Sequence, residues 1–357
     1  MKRRNFLTGS AAFCLNALTG AMGPAHAKNQ AIIPPEEAPH ERTFMQWPVH
    51  RGVYPDLHFL GLLQHTIADI ANSIAAFEPV IMLAASEHHR PMRQLLSNSI
   101  QLWDIATEDL WCRDSGPLFA KTANGRLVVH HLQFNGWGQK QVHDQDGKIA
   151  ERVANRLGVP FISTGLHGEA GGVEHDGYGL LIAHESSWVN DNRNPGMGRA
   201  EIEKKLLDAY GANRMIWSAG LSGEDITDYH IDSLARFTGK RRVLINLPDQ
   251  SDMNDPFHRA AFATYTALKA AKLQVDVISE PTLRRVSSLD FVASYANYYV
   301  CNGAVIAAEF GDKRADAIAV DALKRHYPNR EIVTLNVDAL GEIGGGIHCA
   351  TQQMPAA

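Results

Sequence analysis

Apolar residues recur at helical spacing in five segments of the chain, and this periodicity predicts five α-helices. The segments are residues 57–77, 148–158, 199–211, 255–272 and 314–327. Asp255 followed by Pro256 favours a helix start, because the carboxylate caps the first turn and proline is tolerated there. Gly158 and Gly211 favour helix ends, because glycine readily adopts the left-handed conformation of a C-terminal cap. Five helices, separated by other elements, are therefore expected.

Short apolar runs lie between these helices and predict β-strands. The runs are residues 80–84, 127–134, 180–184, 243–247, 298–308 and 332–337. Helices that alternate with strands are typical of a parallel sheet. The turn sequences at 123–125 (Ala-Asn-Gly) and 176–179 (Asp-Gly-Tyr-Gly) favour antiparallel hairpins instead. The pattern therefore predicts an α/β fold whose repeated unit combines a hairpin, a helix and a further strand.

The first 27 residues are predicted to be a signal peptide. They have a basic start, a weakly apolar stretch and a small-residue end at 25–27 (Ala-His-Ala). Residues 3–7 (Arg-Arg-Asn-Phe-Leu) resemble a twin-arginine signal. We therefore expect the twin-arginine export machinery to carry the protein to a bacterial periplasm or beyond, and residues 28–357 to form a single domain. The alternative is a cytoplasmic protein with a chance basic start.

The composition of the 357-residue chain is ordinary for a globular protein, with 45% hydrophobic and 20% charged residues. These proportions exclude a disordered chain, a collagen and a coiled coil. A net charge of -5 without a Lys/Arg-rich run gives no electrostatic footprint for nucleic acid or for an anionic membrane surface. No later run approaches the roughly 18 apolar residues of a membrane span. The expected partner is a small molecule, while the oligomeric state stays open and includes a homo-oligomer.

Three cysteines remain after the signal peptide: Cys112, Cys301 and Cys349. An odd number in an oxidising compartment leaves at least one thiol unpaired or paired between molecules. Cys349 closely follows a triple glycine at 344–346, which lets the backbone approach a ligand. Cys349 is therefore the candidate nucleophile, and the alternative is a buried, inert thiol.

Residues 111–117 (Trp-Cys-Arg-Asp-Ser-Gly-Pro) place a carboxylate near an aromatic ring. Asp114 beside the face of Trp111 suits a planar cation, because the carboxylate accepts paired N–H bonds and the ring offers a cation–π surface. The alternative is that Asp114 only caps a turn. The segment 169–177 combines carboxylates with small residues, which allow the backbone to pack closely. Glu169 is therefore a further candidate site residue.

The segment 228–232 (Asp-Tyr-His-Ile-Asp) combines an imidazole with acids. In an extended segment His230 and Asp232 face the same side. The acids are expected to raise the pKa of His230, as a general acid near neutral pH requires. The alternative makes Asp228, His230 and Asp232 metal ligands. That alternative is weaker because no second histidine pair at ligand spacing accompanies them, so we expect no metal.

In their order along the chain, these segments resemble the agmatine deiminase and bacterial, Porphyromonas-type peptidylarginine deiminase family of the guanidino-group-modifying (pentein) superfamily. The motifs are residues 40–48 (HERTFMQWP), 111–117, 134–138 (FNGWG), 192–195 (NRNP), 228–237 (DYHIDSLARF) and 344–353 (GGGIHCATQQ). The resemblance implies a five-bladed α/β propeller with pseudo-fivefold symmetry, whose substrate enters along the central axis. It also implies a hydrolase that converts a guanidinium group to a urea with release of ammonia, without a cofactor, as in polyamine (putrescine) biosynthesis.

The resemblance also implies a role for each site residue. Asp114 and Asp232 would hold the guanidinium group by accepting its N–H bonds. Trp111 would bind the substrate beside Asp114. Cys349 would attack the central carbon as a thiolate. His230 would protonate the departing ammonia and then take a proton from the water that hydrolyses the S-amidino intermediate. Glu169 matches a family glutamate that lies beside this histidine and supports it.

Two positions depart from the typical family pattern. Tyr229 stands where a glycine is usual in Thr-Asp-Gly-His-Val-Asp, and Ala170 also replaces a usual glycine. The ring of Tyr229 is expected to narrow the pocket or to change which substrate tail fits. The leading hypothesis is deimination of agmatine or a close relative to an N-carbamoyl amine. The alternatives are an exported peptidylarginine deiminase that makes citrulline, an amidinotransferase, and a guanidino-compound-binding protein that has kept the fold.

Overall fold

The computed structural model of the protein describes residues 31–288 and 291–356. The signal peptide predicted for residues 1–27 lies outside the described residues. Ten helical segments lie within the described part: α1 Leu57–Ala75, α2 His89–Met92, α3 Cys112–Ser115, α4 Gly136–Gln139, α5 Ile149–Leu157, α6 Glu185–Trp188, α7 Arg199–Tyr210, α8 Pro256–Ala270, α9 Lys313–His326 and α10 Asp338–Gly341. None of the helices in this part is long and apolar enough to cross a lipid bilayer.

Sixteen strands also lie within these residues: β1 His40–Gln46, β2 Val80–Ala84, β3 Gln101–Asp104, β4 Leu118–Lys121, β5 Leu127–His131, β6 Phe161–Ser163, β7 Val173–His175, β8 Leu180–His184, β9 Arg214–Ser218, β10 Ala235–Gly239, β11 Arg242–Leu247, β12 Gln274–Ser279, β13 Tyr299–Cys301, β14 Ala304–Glu309, β15 Glu331–Asn336 and β16 Thr351–Pro355. In the part of the chain that the structure describes, they form five small sheets.

Four of these sheets repeat one unit. Two successive strands pair antiparallel, a helix follows, and a third strand returns parallel to the second, as in β4-β5-β6 and β10-β11-β12. The remaining sheet has the order β16-β1-β2-β3, in which β16 pairs antiparallel with β1. Strands from both ends of the described chain therefore complete one sheet. The mixed α/β architecture and its repeated unit confirm the prediction from the sequence.

The five helices predicted from periodicity are α1, α5, α7, α8 and α9. The side chain of Asp255 caps α8 by accepting hydrogen bonds from the backbone N–H groups of Phe257 and His258. Gly158 ends α5 in the left-handed conformation, with a φ of 66°. These signals are local, so the sequence locates the ends of these helices to within a few residues.

The single strand predicted over residues 298–308 is wrong, because this run is the hairpin of β13 and β14. The chain turns at Asn302 and Gly303, where the φ of Gly303 is 82°, a conformation that glycine adopts without strain. Both strands are almost entirely buried, so their apolar residues run together and conceal the turn.

Helix α1 illustrates how the helices cover the sheets. Leu63, Ile67, Ile70 and Ile74 repeat at helical spacing and are completely buried. They belong to a cluster that includes the strand residue Val305. Each such side chain contributes about 1.5–3 kcal/mol through burial. The helices thus form apolar cores against the sheets, while the segments that precede the hairpins carry buried polar side chains.

Candidate active site

The residues singled out from the sequence lie at equivalent places in the fold. Asp114 precedes β4, Glu169 precedes β7, and His230 and Asp232 precede β10, each of which is the first strand of a hairpin, while Cys349 precedes β16, which pairs with β1. Asn297, which the sequence did not single out, holds the same place before β13. All six side chains are buried. The repeated unit therefore delivers one polar segment from each sheet to a common site.

Cys349 is held between a carboxylate and an amide. Its thiol donates a hydrogen bond to Oδ2 of Asp232 over 3.4 Å and accepts one from Nδ2 of Asn297 over 3.1 Å. The backbone carbonyl of Cys349 accepts from the N–H of Arg113, the residue before Asp114, over 3.0 Å. Burial, together with the carboxylates of Asp232 and Asp114, raises the pKa of the thiol well above its ordinary value. Cys349 is therefore protonated until a positive charge arrives nearby.

Two donors fix the carboxylate of Asp114. The indole Nε1 of Trp137 donates to Oδ2 over 2.9 Å, and the backbone N–H of Gly171 donates to Oδ1 over 3.2 Å. Burial raises the pKa of Asp114 to about 6, against the lowering effect of His230. Asp114 does more than cap a turn, because its side chain accepts from residues of two other loops.

Trp137 reaches Asp114 from an unusual turn. All four residues of α4 have positive φ values, between 54° and 83°, so this turn is left-handed. A left-handed residue other than glycine costs roughly 1–2 kcal/mol. The side chain of Asn135 stabilises the turn by accepting from the N–H of Gly138. A Cβ on Gly138 would lie 2.5 Å from the side chain of Asn192, so this position requires glycine. The 134–138 motif thus places one indole N–H against Asp114.

His230 lies between two carboxylates. Its Nε2 is 3.2 Å from Oε2 of Glu169, and its Nδ1 is 3.7 Å from Oδ2 of Asp114. Burial alone would lower the pKa of His230, but Asp114, Glu169 and Asp232 raise it to about 9. The prediction of a raised pKa is confirmed. The prediction that this segment is extended is wrong, because Ile231–Ser233 forms a 3-10 turn. Asp232 lies within this turn.

Arg193 holds Glu169 in place behind the imidazole. Its Nε lies 2.9 Å from Oε2 of Glu169, and its Nη1 donates to Oδ2 of Asp228 over 2.6 Å. Lys140 also contacts Asp228 at 2.7 Å. The metal-ligand alternative is therefore wrong for Asp228, whose side chain is occupied by two cations. Among the described residues, no group of three or more His, Cys, Asp and Glu is arranged to hold a metal ion.

The carboxylate of Asp232 has one engaged and one free oxygen. Oδ2 accepts from Cys349 and from Nδ1 of His348, whereas Oδ1 has no hydrogen-bond partner among the described residues and is buried. Asp114, His230 and Asp232 converge on Gly171. A Cβ built on that glycine would lie 2.7 Å from Oδ1 of Asp114, 2.9 Å from Nδ1 of His230 and 3.1 Å from Oδ2 of Asp232. These three side chains can therefore approach one another closely only because residue 171 is a glycine.

The ring of Tyr229 packs against two other aromatic rings, and its expected effect on the pocket or on the substrate tail stays a prediction. Its ring stacks on His184, with centroids 4.9 Å apart, and meets the edge of Phe257 at 5.7 Å. The φ of Tyr229 is 70°, a conformation that glycine adopts more easily than tyrosine. This positive φ explains why a glycine is usual at position 229 in the family pattern. Ala170 is buried in the 3-10 turn Ala170–Gly172, and its φ is not positive.

The ring of Trp111 packs against the triple glycine before the nucleophile. A Cβ on Gly345 would lie 2.5 Å from this ring, so the glycine is required for the close approach. The indole that contacts Asp114 is that of Trp137, and Trp111 as a substrate-binding surface stays a prediction. Among the described residues, Cys112 and Cys301 are buried and form no disulfide.

Comparison with known proteins places the whole described chain in one group. A model of the Porphyromonas-type peptidyl-arginine deiminase family matches residues 32–355. A Streptomyces coelicolor relative with the name "Putative agmatine deiminase" is 32% identical over 336 residues, which cover 90% of this chain and 98% of that protein. The structure of the agmatine deiminase of Enterococcus faecalis has a TM-score of 0.81 at 25% identity, over 91% of this chain and 96% of that chain.

Proposed function

The chain belongs to the Porphyromonas-type peptidyl-arginine deiminase family, and from this we propose that it hydrolyses the guanidinium group of agmatine or a close relative to an N-carbamoyl amine and ammonia. One observation carries the proposal. Two carboxylates, an imidazole and a thiol, from Asp114, Asp232, His230 and Cys349, converge in one buried site. The agmatine deiminases among the relatives support the same substrate class.

The two carboxylates would hold the planar cation. Oδ1 of Asp232, which has no partner among the described residues, is an acceptor for a guanidinium N–H, and its burial makes an unmet hydrogen bond costly. Asp114 keeps acceptor capacity beyond its bonds to Trp137 and Gly171, because each ionised carboxylate oxygen accepts more than one hydrogen bond. A bound cation also offsets the negative charges that gather in this site.

Binding of the cation would activate the nucleophile. The carboxylates that raise the pKa of Cys349 are the ones that the guanidinium would neutralise. The thiol then releases its proton to water, and the thiolate sulfur forms a bond to the central guanidinium carbon while the C–N π electrons move onto a nitrogen. Breakdown of this adduct breaks the bond from carbon to an amino nitrogen. Ammonia leaves, and an S-amidino cysteine remains.

His230 would serve first as acid and then as base. It is protonated at neutral pH, because its pKa is about 9, so it can give a proton to the departing nitrogen. Once neutral, it can accept a proton from the water that attacks the S-amidino carbon. That attack breaks the carbon–sulfur bond and returns the thiolate. Glu169, held by Arg193, keeps Nε2 engaged and leaves Nδ1 on the side of Asp114.

The substrate is tested by measuring ammonia release from agmatine, free arginine and short arginine peptides with the mature protein. We expect the highest kcat/KM for agmatine, because the catalytic side chains are all less than a tenth exposed and so favour a slender substrate. Higher activity on peptides would identify a peptidylarginine deiminase instead. Ammonia release from none of the three would overturn the proposed function.

Two further features belong to the proposal. Residues 3–7 and 25–27 support export by the twin-arginine pathway to the periplasm. Cell fractionation with and without that pathway tests this, and an unprocessed cytoplasmic protein in both cases would contradict it. The repeated strand-and-helix unit supports the arrangement of the five sheets as blades of a propeller with pseudo-fivefold symmetry. A crystal structure would test the symmetry.

A further inference from the structure

His348, the residue before the nucleophile, lies between two buried carboxylates. Its Nδ1 is 2.7 Å from Oδ2 of Asp232, and its Nε2 is 2.9 Å from Oε2 of Glu36. The side chain is 3% exposed, so water does not replace these bonds. Both ring nitrogens are therefore within hydrogen-bond distance of a carboxylate oxygen, and the ring of His348 bridges Asp232 and Glu36.

Glu36 gives the ring of His348 a fixed anchor on the side away from Asp232. Its carboxylate contacts Nη2 of Arg113 at 3.1 Å and Nη2 of Arg236 at 3.0 Å, and accepts from the backbone N–H of Val300 over 2.9 Å. Burial would raise the pKa of Glu36, but Arg236, His348 and Arg113 hold it well below its ordinary value. Glu36 is therefore ionised and restrained by several donors, and it restrains the ring of His348 in turn.

The second ring nitrogen of His348, Nδ1, affects both the charge and the orientation of the Asp232 carboxylate. Burial would raise the pKa of Asp232, but the hydrogen bond and the charge of His348 outweigh it and lower that pKa. Because His348 and Cys349 both bond to Oδ2, the carboxylate is fixed in one rotation, and Oδ1 is left without a partner in the part of the chain that the structure describes. A free rotation would let either oxygen turn towards the thiol.

We propose that His348 is a positioning residue for the reaction: braced on Glu36, it fixes Oδ2 of Asp232 and leaves Oδ1 as the acceptor for the guanidinium group. The inference rests on the proposed function, because it gives Oδ1 its ligand. It assigns His348 no contact with substrate and no proton transfer.

The two amide variants of His348 separate its two hydrogen bonds. In His348→Asn the amide nitrogen replaces Nδ1 and can still donate to Asp232. In His348→Gln the amide reaches the place of Nε2, so the bond to Glu36 is kept and the bond to Asp232 is lost. Binding of agmatine is measured by calorimetry with Cys349→Ala also present, so that no turnover interferes. We expect His348→Gln to weaken binding by about tenfold to a hundredfold, as for a lost charge-assisted hydrogen bond.

His348→Asn should rescue most of that affinity, a result that a merely structural role would not give. His65→Asn, on the exposed face of α1, is the matched control and should bind agmatine as the parent does. Equal affinities for His348→Gln and His348→Asn would overturn the inference. If His348→Gln does not fold, His348→Ala replaces it. That variant also removes the bond to Asp232 and should bind agmatine more weakly than His348→Asn, and equal affinities of these two variants would overturn the inference as well.

Crystal structures of the two variants give a readout independent of activity. The carboxylate of Asp232 should rotate in His348→Gln and stay in place in His348→Asn. If the wild-type protein releases no ammonia from any guanidine, the proposed function fails. If the wild-type protein is active and Asp232 keeps its orientation in His348→Gln, the positioning role alone is wrong.

Discussion

The thiol of Cys349 lies 3.4 Å from Oδ2 of Asp232, so the candidate nucleophile faces a carboxylate rather than an imidazole. The imidazole of His230 contacts Glu169 and Asp114 instead of the thiol. A carboxylate beside a thiol stabilises the protonated form, in contrast to the paired thiolate of a cysteine protease. The positive charge of the substrate is therefore needed to offset these carboxylates and to lower the pKa of the Cys349 thiol.

The first prediction concerns the charge of the alkylating reagent. At neutral pH, we expect a cationic haloacetamidine to alkylate Cys349 much faster than the neutral haloacetamide, because the amidinium can bind between Asp114 and Asp232 and lower the pKa of the thiol. Peptide mass spectrometry measures the rate at each cysteine. Cys112 and Cys301 are internal controls, since burial raises their pKa values and they should not distinguish the reagents. Equal rates at Cys349 for both reagents would contradict substrate-assisted ionisation.

Replacement of the nucleophile should separate binding from chemistry. We expect Cys349→Ala to release no ammonia and yet to bind agmatine, because both carboxylates that hold the guanidinium remain. Calorimetry measures the binding, and a coupled assay measures the ammonia. Turnover at the wild-type rate would show that Cys349 is not the nucleophile.

The pH profile of kcat/KM should be bell-shaped. The pKa of Asp114 is raised to about 6, so this carboxylate loses its charge, and kcat/KM falls, as the pH drops through about 6. The pKa of His230 is raised to about 9, so the general acid is lost as the pH rises through about 9. Activity should therefore be highest between these values.

The variant Glu169→Gln tests the assignment of the alkaline limb. Because Glu169 contributes to the raised pKa of His230, its neutral replacement should move this limb to lower pH. The acid limb should move less. An alkaline limb that stays in place would mean that another group controls it.

The parts of the fold that could be predicted are those with local signals. Helix α8 begins as expected because Asp255 and Pro256 are adjacent in the sequence. The hairpin of β13 and β14 could not be predicted, because apolar residues on both sides of Gly303 hide the turn.

In the site, the motifs indicated Asp114, His230, Asp232 and Cys349, together with the raised pKa of His230.

Other site residues could not be found because their partners lie far away in the sequence. The role of Trp137 is visible only from its hydrogen bond to Asp114, and the need for glycine at position 138 only from the close approach of Asn192. Asn297 and His348 acquire their partners only when separate sheets come together. The 134–138 and 344–353 motifs contained Trp137 and His348, but no local pattern distinguishes a buried bridging ring from an ordinary core residue.

Substitutions of Tyr229 should separate backbone strain from ring packing. Both Tyr229→Ala and Tyr229→Gly lose the contacts with His184 and Phe257, but only glycine relieves the φ of 70°. We expect Tyr229→Gly to be more stable than Tyr229→Ala by about 1 kcal/mol, measured by denaturant unfolding. The KM for agmatine should be essentially the same in both variants and the wild type. A marked fall of KM in Tyr229→Gly would show that the ring does restrict the pocket.

Gly171 offers the sharpest test of the site geometry, because a single methyl group there would lie among three catalytic side chains. A Cβ at this position would be 2.7 Å from Asp114, 2.9 Å from His230 and 3.1 Å from Asp232, so at least one of them must move. The backbone N–H to Asp114 would remain, and the φ of Gly171 is not positive, so alanine fits the backbone. We expect Gly171→Ala to lower kcat/KM by about a hundredfold, as for a displacement near 1 Å.

The matched control is Gly61→Ala on helix α1, where a Cβ meets no described atom within 4 Å outside the helix itself. This variant should keep full activity and gain about 0.5–1 kcal/mol of stability, because alanine favours the helix. Thermal melting shows whether Gly171→Ala still folds, so that its loss of activity can be assigned to the site. If Gly171→Ala folds and retains wild-type kcat/KM, Asp114, His230 and Asp232 cannot converge on this backbone position during the reaction, and the roles assigned to them here would be wrong.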